Sequence, residues 1–165
     1  MKIACRTPIV FAAIVGVLGA SVATARDRDE RGRCTPVGGT ILTNLGVIDA
    51  NTTLGTATGD LRGAVAAAIL SIAPGSDGTT VFMVQHHWVT EPGDTIALGV
   101  AKATATMVAP GLFAIVSYPL KIVGGTGRFN GATGRLDSIG EVDLNAGRTV
   151  FRYTGKVCFA GGEEQ

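Results

Sequence analysis

The sequence predicts an all-β protein, an eight-stranded antiparallel β-barrel, on three observations. Apolar residues recur with period two rather than 3.6, and Gly, Pro, Asn and Asp punctuate the chain about every dozen positions. Beyond residue 25 no helical periodicity occurs. Sequential hairpins of this length favour an up-and-down meander, and closing it removes the exposed edges of an open sheet. About eight strands enclose an interior just large enough to be packed with side chains or to hold one small ligand.

The first 25 residues read as a signal peptide. Lys2 and Arg6 precede an apolar run over 8–20, and the small-residue site Ala23-Thr-Ala25 follows it. That run is shorter than the roughly 20 residues a spanning helix needs. The expectation is a secreted or periplasmic protein with no membrane span after cleavage. Residues 26–33 (RDRDERGR) alternate in charge without apolar side chains and read as a flexible charged linker. Residues 34–165 then form one barrel domain. Removing the first 25 of 165 residues leaves 140, enough for one sizeable core. Without Lys2 and Arg6 the 14 basic residues become 12 against 13 acidic ones, a net charge of −1, which argues against a nucleic-acid partner. Two cysteines remain, Cys34 where the ordered part begins and Cys158 where its last strand ends. In an oxidising compartment they are expected to form a disulfide. Neither has a Cys or His at ligand spacing, so no metal site is expected.

The strands follow in order. Residues 37–44 form the first, a short one falls within 47–58, and 61–73 is the second long strand. The turn PGSDG (74–78) leads into 79–90, EPGD (91–94) into 95–108, and APG (109–111) into 112–123. Next comes GGTGRFNGATG (124–134), with five glycines in eleven residues. It has neither G-x-G-x-x-G nor a G-K-[ST] ending and no helix follows, so it reads as a tight connection between strands rather than a phosphate loop. Strand 135–144 follows, and NAG (145–147) leads into 148–159. If 95–108 is one continuous strand, Thr95, Ala97, Gly99, Ala101, Ala103 and Ala105 share a face; Ala64, Ala66 and Ala68 repeat the pattern. A face of small side chains either admits a closely packed layer or leaves space beneath it.

The densest polar-aromatic cluster is QHHW (85–88), where alternation sends His86 and Trp88 to one face and Gln85 and His87 to the other. Facing a cavity, Trp88 would supply a stacking wall and His86 a proton donor or acceptor near neutral pH. The two histidines point apart, which disfavours a metal. Tyr118 and Tyr153 are the only tyrosines, each able to offer a hydroxyl to a bound carbonyl or to cap a polar group in the core. His86, Trp88, Tyr118 and Tyr153 are therefore the expected cavity-lining residues, with His86, Tyr118 and Tyr153 as candidate catalytic groups. Asp60 reads as the brace of a turn or the partner of Arg62. No G-x-S-x-G elbow supports a serine nucleophile.

Three steps carry a family resemblance: Gly59-Asp60-Leu61, Gly93-Asp94 and the glycine run 124–134. In spacing they resemble the allene oxide cyclase-like barrel family, whose plant members have a Gly-Asp-Leu step and a later Gly-Gly-(Ser/Thr)-Gly-x-Phe-x-Gly-Ala-x-Gly turn. Dirigent proteins are similar more distantly, through Gly-Gly-Thr-Gly alone. The resemblance covers most of the chain after residue 57. It implies an eight-stranded calycin-like barrel with a lipophilic cavity, no cofactor, and assembly into a homo-oligomer. Allene oxide cyclases close an unstable fatty-acid epoxide into a cyclopentenone, and dirigent proteins steer radical coupling made by a separate oxidase. Both hold a flexible reactive molecule in one productive shape. The plant cyclases' first-strand glutamate and asparagine are not matched within 37–43, where only Asn44 stands near the end, and alanines 66–68 lie near the place of their cavity cysteine. No catalytic residue carries over. The expected function is an exported, cofactor-free barrel that binds a small lipophilic molecule and guides its cyclisation or isomerisation. The alternative is a non-catalytic carrier or dirigent-like scaffold.

Overall fold

The computed structural model describes residues 34–161; the expected signal peptide and charged linker lie outside them. Ten β-segments follow one another: β1 (Cys34–Leu45), β2 (Thr52–Ala57), β3 (Gly63–Pro74), β4 (Thr80–Thr90), β5 (Thr95–Leu98), β6 (Ala101–Ala109), β7 (Leu112–Ser117), β8 (Pro119–Gly125), β9 (Thr133–Asp143) and β10 (Arg148–Cys158). All pairings are antiparallel. β5 and β6 both pair with β4, while β7 and β8 both pair with β9, so each couple is one interrupted strand. The ten segments thus make eight staves. β10 pairs with β9 on one side and β1 on the other, which closes the sheet into an eight-stranded antiparallel barrel.

The interruptions correct the expectation of continuous strands at 95–108 and 112–123. Five residues from Ala97 to Ala101 span the four from His87 to Val84 on β4. Likewise, five residues from Ile115 to Pro119 span the four from Gly140 to Asp137 on β9. Each interrupted stave therefore holds one extra residue, and one extra residue reverses the alternation of faces. Ile96 and Leu98 point inward, and then Ala101, Ala103 and Ala105 do so. Phe113 and Ile115 point inward, followed by Tyr118, Leu120 and Ile122. Gln85 bridges the first break, its side-chain amide donating to the Leu98 carbonyl at 3.0 Å. The small-residue face resolves accordingly. Ala101, Ala103 and Ala105 are interior, whereas Ala64, Ala66 and Ala68 lie on the opposite face of β3 from the interior residues Val65 and Ala67.

The two ends of the barrel differ. At one end lie the connections 58–62, 91–94 and 126–132, together with the paired ends of β1 and β10. This end is plugged by Leu61 and Phe129, which are 2% and 0% exposed, with Phe159 against Phe129 at 5.7 Å between ring centroids. The three sequence steps noted above meet here. Asp60 accepts a hydrogen bond from the Gly38 amide at 2.8 Å, and Asp94 accepts one from the Arg128 amide at 3.4 Å. Gly127 has φ +54°, and a Cβ there would run into the Asp94 carboxylate, so glycine is required. Gly59, at φ +83°, sits against the Gly38 carbonyl and the Gly39 Cα in the same way. Cys34 and Cys158 close this end with a disulfide.

The other end holds the connections 46–51, 75–79, 110–111 and 144–147. Around it Val47, Ile48, Leu70, Ile72, Met107 and Val108 are each more than half exposed. One end is thus a packed plug and the other an apolar mouth.

Candidate functional site

Below the mouth the barrel interior holds two small cavities. The upper has a volume of about 50 Å³ and is walled by apolar groups such as Ile69, Phe82, Ala103 and Val142. The lower has about 30 Å³ and adds His86, Ser138 and Thr43 to its wall. Thr53, Ala67, Tyr118, Thr149 and Phe151 line both, so the chambers are stacked with a shared waist. Tyr118 and Phe151 meet there with ring centroids 5.6 Å apart. The alanines create this space, because Ala67 and Ala103 stand where larger side chains would fill the interior.

The chemistry of the site sits at the waist and lower chamber. His86 is inward-facing on β4, in phase with Phe82, Val84 and Trp88. Tyr118 reaches it from the interrupted β7–β8 stave, with Tyr118 Oη 2.7 Å from His86 Nε2. Without the extra residue between Ile115 and Pro119, Ser117 would face inward and Tyr118 outward. The bulge therefore places this hydroxyl. Burial, with a smaller contribution from His87, pushes the His86 pKa down to about 4, so the imidazole is neutral at pH 7. Burial also raises the Tyr118 pKa well above its ordinary value, so the phenol keeps its proton. The Thr43 and Thr149 hydroxyls pair at 2.8 Å. Two buried polar atoms, His86 Nδ1 and Ser138 Oγ, make no hydrogen bond within the protein, and both residues line the lower chamber. Ser138 was not among the sequence candidates. Its inward position on β9, between Leu136 and Val142, is the signal that points to it.

Trp88 and Tyr153 stand nearer the plugged end and are not among the residues lining either cavity. They pack edge to face with centroids 5.4 Å apart. Trp88 Nε1 donates to the Leu61 carbonyl at 2.8 Å. Tyr153 Oη donates to the Thr58 carbonyl at 2.9 Å and accepts from the Leu61 amide at 3.1 Å. Both side chains hold the Gly59–Leu61 turn in place. Of the four expected cavity residues, the structure brings His86 and Tyr118 together and sets Trp88 and Tyr153 below them. Among the described residues no group of three His, Cys, Asp or Glu side chains is arranged to hold a metal.

No protein-family model matches the chain, and no curated protein matches it. Solved structures to which it is similar include two dirigent proteins. One is the pterocarpan synthase dirigent protein GePTS1, at 18% identity over 82% of this chain and 90% of that one, with a TM-score of 0.37. The other is the pterocarpan synthase dirigent protein PsPTS1, at 17% identity over 79% and 97%, with a TM-score of 0.35.

Proposed function

We propose that this barrel is a non-catalytic scaffold that takes a small lipophilic molecule through its apolar mouth and holds it in the stacked chambers. The observation that carries this reading is the upper chamber, a mainly apolar space inside the barrel, beneath a ring of exposed aliphatic side chains. Its volume is well below the roughly 150 Å³ that accommodates benzene in an engineered core. The chambers therefore take a slender apolar chain or a compact group, and a larger ligand extends into the mouth. The Cys34–Cys158 disulfide supports an exported location for this work.

A second reading is supported by the 2.7 Å contact between Tyr118 and His86. This neutral pair presents hydrogen-bonding groups to a confined molecule, so guided isomerisation or cyclisation would act by holding and polarising it there. Native mass spectrometry of the purified protein, with solvent extraction and re-incubation of whatever is recovered, separates the readings. A ligand released and rebound unchanged supports the scaffold. Conversion on re-incubation supports the second reading. Absence of any retained molecule, with no uptake of small apolar probes, overturns both.

A further inference from the structure

Resting on the reading of the barrel as a ligand scaffold, we infer that its ligand is an uncharged molecule with one small polar terminus, an alcohol, aldehyde or ketone. It enters polar end first, to meet His86 and Ser138 in the lower chamber. Three observations carry this. The upper chamber is walled mainly by aliphatic and aromatic groups and shares Thr53, Tyr118 and Thr149 with the lower one at the waist, whereas Thr43, His86 and Ser138 line only the lower chamber. An apolar tail is therefore matched above and a polar head below. At the deep end two buried side chains, His86 at 6% exposure and Ser138 at 2%, each leave one polar atom without a protein partner. A buried polar atom left unpaired costs free energy, and a head group that bonds to it recovers that cost.

The third observation concerns charge. Every lysine and arginine among the described residues is exposed, and neither chamber has a charged residue in its wall. The histidine there is neutral at pH 7. A carboxylate carried into the lower chamber would be a buried anion with no cation to pair with, which is strongly unfavourable. A neutral hydroxyl or carbonyl bears no such penalty. His86 Nδ1 and Ser138 Oγ between them offer both an acceptor and a donor, so an alcohol and a ketone are equally served.

The test uses the disulfide-intact protein at pH 7 with four six-carbon probes: 1-hexanol, 2-hexanone, hexanoate and hexane. Binding is followed by amide chemical shifts, and the His86 ring-nitrogen shifts are followed by NMR. The expected result is that hexanol and 2-hexanone bind at least about ten-fold more tightly than hexanoate. Both should move the His86 Nδ1 resonance, which hexane does not. Ser138→Ala, with its fold checked by the same amide spectrum, should weaken hexanol about ten-fold and leave hexane unchanged. Hexanoate binding as well as hexanol, or hexanol binding without moving the Nδ1 resonance, overturns the inference while leaving the scaffold reading intact. If no probe binds, hexane included, the chambers hold only water and the scaffold reading falls as well.

Discussion

The two tyrosines do opposite work. Tyr153 spends its hydroxyl on the backbone of the Gly59–Leu61 turn, so it is a brace. Tyr153→Phe should leave the Leu61 amide and the Thr58 carbonyl short of a partner and lower stability by about 1–3 kcal/mol, read from guanidinium unfolding. Tyr118 presents its hydroxyl to a histidine at a cavity wall. That histidine makes stability depend on pH. Its pKa in the barrel is about 4 against an ordinary 6.5. Between those values the unfolded chain binds a proton that the folded barrel refuses, so stability is lost as pH falls through the window. The loss approaches about 3 kcal/mol at the lower end, and above pH 6.5 there is none. His86→Gln should flatten the difference between unfolding free energies measured at pH 7 and pH 4.5, while the acidic groups common to both proteins cancel. At this scale the sequence made His86 legible, because β4 alternates without a break. Tyr118 was less so, since its inward aim depends on an extra residue that period-two counting passes over.

At the scale of elements, the glycine run 124–134 was legible as a turn but not as half of a joint. Its partner, the Asp94 turn, is more than thirty residues away along the chain, and only the closed sheet brings them together. Gly127→Ala should be costly for two separate reasons: a side chain at φ +54° and a collision with the Asp94 carboxylate. The expected loss is about 1–3 kcal/mol in thermal or chemical unfolding. Substituting Asp94→Ala in the same background should return part of that loss, because it removes the collision and leaves the backbone strain. The paired interruptions of β5–β6 and β7–β8 were not legible. Gly99 and the Ser117-Tyr-Pro119 step are weak signals, and where the two interrupted staves pair with each other the register shifts again, at Ala97/Leu98 and Thr104/Ala105.

At the scale of the whole molecule, the eight staves, their order and the disulfide were legible from period, turn spacing and the cysteine count. The asymmetry of the ends was not, because it arises from which loops turn their apolar residues inward. Leu61 and Phe129 fold into the barrel, while Val47, Ile48 and Val108 stay out. The disulfide closes a loop with a sequence separation of 124, so in the chain-entropy model its reduction should cost about 5 kcal/mol. Guanidinium titrations of the oxidised and reduced protein check this, and equal midpoints would contradict it.

The seam between β1 and β10 also governs the order of assembly. The first stave finds one of its two neighbours only in the last, eleven register pairs long. During synthesis or refolding every other hairpin forms locally, whereas this seam waits for the whole chain and bears the entropy of closing its longest loop. An intact Cys34–Cys158 bond keeps the two ends together in the unfolded ensemble. Stopped-flow refolding of the oxidised protein should therefore be faster than that of the reduced one, with their unfolding rates differing much less.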